Sequence, residues 1–303
     1  MKLRQHMSDI MHYFKQKYID LRYYHYVKSR KINVHGAEDT IDKIIADKVS
    51  VSRFGDGEFY LMWKTADSPF QKINDELSRR LWDVFLADHE GFVVCIPSYL
   101  KSVGHLYPKT QRWAKDWVVR YAKLLDETFA RTPGKEFFDT NFTRFYMSHI
   151  DKTRCARNIE KIRKIWEGRD VCVVEGQSTR FGVGNDLLDN AKSVTRILCP
   201  PRNAFDKYDE ILQTVLTSVP KSPDTLVLSA LGMTATVLAY DLSLNGYQVI
   251  DIGHLDVEYE WFRMGATEKT AIQNKAVNEV GIRVVDGQPN DIKYTNSIIA
   301  TIE

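Results

Sequence analysis

Between residues 171 and 252 short apolar runs alternate with helix-length amphipathic segments, and this alternation limits the fold more than any other feature. Residues 171–174, 193–199, 225–231 and 248–252 read as strands. The stretches 187–191, 207–216 and 235–244 between them read as helices, with Thr234 placed to cap the last and Gly246 to close it. Strands that are nearly continuously apolar belong in a parallel sheet covered on both faces. The expected class is therefore α/β, a mostly parallel sheet with flanking helices. Upstream, 49–51 and 92–96 add strands, while 38–48, 77–86, 113–129 and 158–166 add helices. In 113–129, Trp113, Trp117 and Tyr121 repeat every four residues and read as a core stripe. Residues 137–147 contain Asn141 and Arg144 and fit no element. Residues 286–303 read as a peripheral tail beyond a domain spanning 36–285.

Such sheets bind ligands in the crevice beyond the strand C-termini, and the chemically dense loops all fall there. The first is Ser52-Arg53-Phe54-Gly55-Asp56-Gly57-Glu58. Asp56 and Glu58, one glycine apart, can point into one space and offer hard oxygen ligands suited to Mg²⁺ or Mn²⁺. Gly55 allows close backbone approach, and Arg53 can fork a phosphate or hold one of the acids. The same residues also read as a strand-ending turn with solvated acids. The second loop, 175–186, carries Gly176, Ser178, Arg180, Gly182 and Asn185, which can cradle phosphates or simply pack closely. It lacks the Walker lysine and the G-x-G-x-x-G spacing, so ATPase and simple dehydrogenase readings lose support. Gly232 and Thr234 lie in a third turn, and Arg202 and Asn203 follow Pro200-Pro201 as candidate nucleotide contacts. In the fourth, His254, Asp256, Glu258 and Glu260 are packed among aromatics; if extended, the three acids share a face and one is a general base.

With 303 residues, 44% hydrophobic and 27% charged, the chain can bury a sizeable core. A net charge of +2 does not argue for nucleic acid. Cys95, Cys155, Cys172 and Cys199 show no C-x-x-C pair, so free thiols in a reducing cytoplasm are expected. No apolar run approaches the roughly 18 residues of a membrane span, and no secretory h-region is visible. Residues 1–35 form a basic, aromatic helical extension. It reads either as a helix resting at the inner face of an anionic membrane or as one packed on its own domain or on a second copy.

Taken together, Ser52 to Glu58, Val174-Glu175-Gly176 with Gly182-Val183-Gly184-Asn185-Asp186-Leu187, Asn203-Ala204-Phe205, Ala239-Tyr240-Asp241-Leu242, and Asp251-Ile252-Gly253-His254 with Glu258-Tyr259-Glu260-Trp261 resemble the GT-D-type glycosyltransferases over residues 38–279. The resemblance implies a Rossmann-like fold distinct from the GT-A and GT-B types. It also implies a UDP-sugar donor, Mn²⁺ or Mg²⁺ on Asp56 and Glu58, and a bacterial role in extending lipid- or protein-linked surface glycans. One departure is Met233, where the family's turn is expected to hold proline. The resulting expectation is a cytoplasmic, metal-dependent hexosyltransferase with Glu258 as acceptor base. A nucleotide-sugar hydrolase and a non-catalytic binding subunit are the alternatives.

Overall fold

The computed structural model describes residues 2–282, 284, 285, 287 and 291–303. Among these, eight strands form one parallel sheet. They are β1 (Ser50–Arg53), β2 (Phe92–Ile96), β3 (Phe138–Asp139), β4 (Asp170–Gly176), β5 (Ser193–Cys199), β6 (Thr225–Ala230), β7 (Val249–Asp251) and β8 (Ile298–Thr301). The order is β3-β2-β1-β7-β6-β4-β5-β8. From β1 the chain steps outward to β2 and β3, then fills the other half so that β7 returns beside β1, pairing Val51 with Ile250. Loops leaving β1 and β7 therefore meet over the middle of the sheet, where ligands of open α/β sheets sit.

Helices cover both faces: α1 (Lys2–Arg30), α2 (Ala37–Asp47), α3 (Asp56–Met62), α4 (Asp75–Leu86), α5 (Pro108–Arg120), α6 (Ala122–Phe129), α7 (Lys152–Arg163), α8 (Tyr208–Ser218), α9 (Met233–Leu244), α10 (Leu255–Arg263) and α11 (Ile292–Ser297). Alternate strand residues feed two cores, because successive side chains leave a strand on opposite faces. Cys172, Val174 and Val227 join Leu81, Trp117, Ile211 and Leu238 on one side. Val171, Val173 and Leu228 join Ile44, Ile162 and Trp261 on the other. Burial on both faces explains why the strands read as unbroken apolar runs. All four cysteines are buried and unpaired.

Several expectations are corrected. The helix expected at 113–129 is two helices broken at Tyr121, and only part of its aromatic stripe is core: Trp117 is buried and Trp113 exposed. Residues 187–191 are turns rather than a helix. The Leu187 N–H goes to Asn185 Oδ1 and the Leu187 carbonyl accepts from Trp166 Nε1, each at 3.0 Å, so side chains satisfy the groups a helix would use. Thr234 is not a cap: α9 starts at Met233 after Gly232, whose φ of 55° suits glycine. The run carrying Asp256, Glu258 and Glu260 is not extended but forms α10. The expected tail is also structural, since α11 and β8 complete the sheet edge. Tyr294 lies 5.0 Å from the Arg196 guanidinium and the Ile302 N–H donates to the Leu198 carbonyl at 2.8 Å.

Candidate active site

The Phe54 N–H still donates to Cys95 at 2.8 Å, so the β1 ladder runs on past its last residue and fixes where the chain must turn. Gly55 then precedes α3, which puts Asp56 and Glu58 in the first helical turn, where negative charge is favoured. Glu58 Oε2 accepts the Gly55 N–H at 2.7 Å, the return half of a capping box. A Cβ on Gly57 would lie 2.3 Å from the Met233 methyl, so a side chain there would have to push that flexible thioether aside. Met233 thus occupies the first position of α9, where proline is common, and closes over the acidic turn. Burial raises Asp56, opposed chiefly by Arg144. Burial and the neighbouring Asp251 charge push Glu58 up to about 7.

Arg53 does hold an acid, but that acid is Asp251 rather than Asp56 or Glu58 of its own turn. Its Nη1 pairs with Asp251 Oδ1 at 3.3 Å and its Nε donates to the Thr140 carbonyl at 3.3 Å. Gly253, at φ 50°, leaves space for this guanidinium, since a Cβ there would lie 1.8 Å from Nη1. Beyond it, His254 Nε2 meets Glu279 Oε2 at 2.7 Å, and Glu279 Oε1 accepts from Arg144 Nη1 at 2.5 Å. Burial and the Arg144 charge push His254 below its ordinary range. Although burial opposes it, the His254 hydrogen bond and Arg144 hold the Glu279 carboxyl well below the usual carboxylate range.

The three acids of α10 have different surroundings. Glu258 Oε2 accepts the N–H groups of Tyr146 and Met147 at 3.0 and 2.7 Å, which orients the carboxylate. Asp256 meets Lys275 Nζ at 2.5 Å and Asn185 Nδ2 at 2.7 Å, and Glu260 meets Asn185 Nδ2 at 2.6 Å. Asp256 and Glu260 are thus tied into a buried polar cluster with Lys275, to which the half-buried Asn185 adds its amide.

A cavity of about 1090 Å³ opens beyond the strand ends and gathers many of the expected residues. Arg53, Gly55, Asp56 and Glu58 line it, with His254, Asp256 and Glu258 from the β7 side. Gly176, Ser178, Arg202 and Gly232 line it from the β4–β6 side. Arg202 is exposed and has no ion-pair partner among the described residues. Arg180, Gly182, Asn185, Asn203, Thr234 and Glu260 are not in its wall. Arg180 is buried, donates to the carbonyls of Asn274 (2.9 Å) and Gly287, and so anchors a later segment. Asn203 ties the 68–72 turn: its N–H donates to the Phe70 carbonyl at 2.7 Å and its Oδ1 accepts the Lys72 N–H at 3.1 Å. Gly182 donates its N–H to Asp256, and Gly176 packs against Pro201, so close packing accounts for part of the glycine-rich loop. Arg144 and Glu279, which no sequence pattern marks, also line the cavity.

The sequence model of the "Glycosyltransferase GT-D fold" matches residues 51–280, which include both acidic loops and the glycine-rich turn. The chain belongs to this GT-D glycosyltransferase family. Two curated relatives agree with that placement. "Probable glycosyl transferase Gly" of Streptococcus gordonii is 33% identical over 276 residues, covering 91% of this chain and 39% of that protein. "Glycosyltransferase GlyD" of Streptococcus pneumoniae serotype 4 is 35% identical over 272 residues, covering 89% and 33%. The GT-D chain thus spans between a third and two fifths of these relatives' length. A solved structure described as "The highly conserved domain of unknown function 1792 has a distinct glycosyltransferase fold" superposes with a TM-score of 0.86 at 32% identity, covering 93% of this chain and all of that one. "A New Glycosyltransferase (DUF1792) from Streptococcus sanguinis" gives 0.84 at 33% identity, covering 90% and 100%. One motif of the GT-D resemblance has a structural explanation: Asp241 accepts from both Arg80 and the Tyr208 hydroxyl at 2.5 Å, tying α4, α8 and α9 together.

Proposed function

We propose that this GT-D chain moves a hexose from a UDP-sugar to a hydroxyl of a lipid- or protein-linked surface glycan, with Mn²⁺ or Mg²⁺ held by Asp56 and Glu58. The observation that carries this reading is the single cavity whose wall includes those acids, the free Arg202 and the oriented Glu258. Two hard carboxylates in a partly buried wall fit such a cation, and the burial that disfavours their charge is relieved by one. Among the described residues no group of three or more His, Cys, Asp or Glu gathers as a complete ligand set. In this reading the donor's diphosphate would supply further oxygen ligands. When bound, the ion neutralises charge on the leaving diphosphate.

The chain's own groups supply the rest. Arg202 and the backbone at Gly176 and Gly232 face the nucleotide diphosphate. Glu258 takes the acceptor hydroxyl's proton as that oxygen bonds to the anomeric carbon. The bond from that carbon to the diphosphate breaks, and UDP leaves with the bonding pair. This direct displacement inverts the anomeric centre. Neutralising the base by Glu258→Gln is expected to lower acceptor-dependent UDP release by about 10²–10⁴-fold. An unchanged rate would remove Glu258 from the role. The reading as a whole is tested by UDP release from a panel of UDP-sugars with Mn²⁺ or with EDTA. Metal-dependent release that rises with saccharide acceptor supports transfer, and release indifferent to acceptor points to hydrolysis.

The same reading places the enzyme peripherally at an anionic membrane through α1. No helix among the described residues is long and apolar enough to cross a membrane. Among the described side chains of α1, those that pack on the domain lie in its second half: Ile19, Tyr23 and Tyr26 are buried, and Asp20 pairs with Lys115 at 2.9 Å. Met7, Met11, Phe14, Tyr18 and Leu21 follow a three-four spacing on another side, and all are exposed. Helical geometry sets Lys15 and Arg22 on one flank of this stripe and Lys17 on the other, with Asp9 away from it. Like charges on both flanks oppose self-pairing and favour an anionic interface. The protein is expected to sediment with phosphatidylglycerol vesicles but not with phosphatidylcholine ones. The variant Phe14→Ser/Leu21→Ser is expected to stay in the supernatant, and equal sedimentation of the variant would contradict the placement.

A further inference from the structure

We propose that the β2–β3 end of the cavity is the acceptor subsite and takes a pyranose ring stacked on the indole of Trp113. The inference rests on the transferase reading above. The strand order divides the cavity. Over β6 and β4 lie the glycine turns, and Arg202 follows β5. Over β1 and β7 stand Asp56, Glu58 and Glu258. Over β2 and β3 the wall changes to Tyr99, Tyr107, Trp113, Lys109 and Asn141. The side proposed for the diphosphate and the aromatic surface thus lie on opposite sides of the carboxylates, as donor and acceptor must flank the reacting carbon.

Trp113 is 46% exposed and Tyr107 40% exposed. Among the described residues Trp113 is the one exposed tryptophan, while Trp117, one turn further along α5, is buried. Leaving an indole uncovered forfeits burial, so its place in a cavity wall indicates an apolar face waiting for a ligand. Both rings are held. Trp113 meets Tyr99 edge-on at 5.7 Å and 88°, and Lys152 Nζ lies 5.2 Å from the Tyr107 ring. Pro108 starts α5 with its fixed φ, which sets this corner rigidly. A sugar presents C–H groups on its ring face and hydroxyls around its rim. The aromatic wall suits the first, and Lys109, Thr110 and Asn141 suit the second.

The test uses the full chain with UDP and Mg²⁺, and cellobiose, lactose and N,N′-diacetylchitobiose as saccharide probes. Saturation-transfer NMR reads sugar contact without turnover, and UDP titration reads the donor end. The expected result is a saccharide signal that is lost in Trp113→Ala and retained in Trp113→Phe. In the UDP-release assay the half-saturating saccharide concentration rises about tenfold in Trp113→Ala, with a far smaller change in UDP affinity. The proposal is overturned if no probe gives a signal, if the signal survives in Trp113→Ala, or if UDP affinity falls as much as saccharide affinity. Failure of the transferase reading looks different: no UDP-sugar then releases UDP, whatever the saccharide signal shows.

Discussion

Asp56→Asn is expected to lower UDP release by about 10²–10³-fold or more, the scale of losing one charge-stabilising group at a developing anion. The protein should stay folded. Among the described residues Asp56 has no ion-pair partner, Arg144 acts on it only through its charge, and burial already disfavours its own charge, so the isosteric amide leaves the fold little to lose. Stripping the metal from the wild type with EDTA should produce a similar fall, and EDTA should have little further effect on the variant. A variant that keeps its rate within a few-fold at saturating Mn²⁺ and melts normally would show that the acidic turn is only a strand ending.

Arg196→Met is expected to cost about 3–5 kcal/mol of stability, because it strands a buried carboxylate. Arg196 Nη1 meets Glu175 Oε1 at 2.6 Å, with the two side chains 6% and 0% exposed. Glu175 Oε2 also accepts the Phe181 N–H at 2.6 Å, so this carboxylate folds the glycine-rich loop back on β4. Arg196 lies 5.0 Å from the Tyr294 ring as well, which links the loop to α11. Burial raises Glu175, with Arg196 opposing, so loss of the partner favours the protonated acid. The double variant Arg196→Met/Glu175→Gln should recover part of the loss in urea melts. A single-variant cost below about 1 kcal/mol would place the pair among weak surface bridges instead.

The parallel sheet was legible because helices cover both its faces, which makes strands such as β4 and β6 apolar throughout. The acidic turn was legible because two acids and two glycines interrupt such a run. The α10 segment misled for a definite reason. Asp256, Glu258 and Glu260 alternate with Val257, Tyr259 and Trp261, a period of two that copies a half-exposed strand. In the fold all six are buried, and the acids are satisfied by Lys275, Asn185 and the amides of Tyr146 and Met147. No local pattern announces partners so far away in the chain. Arg144 and Glu279 went unassigned for the same reason: they meet across 135 positions. Arg180 carried the look of a phosphate ligand, but its φ of 51° and its carbonyl partners turn it into an anchor.

The most direct measurement is a crystal structure with UDP and Mn²⁺, phased to show the anomalous signal of manganese. The account predicts a manganese peak between the Asp56–Glu58 turn and the diphosphate, with the diphosphate on the Arg202 side of the cavity. A UDP bound elsewhere, or a peak away from both carboxylates, would contradict it.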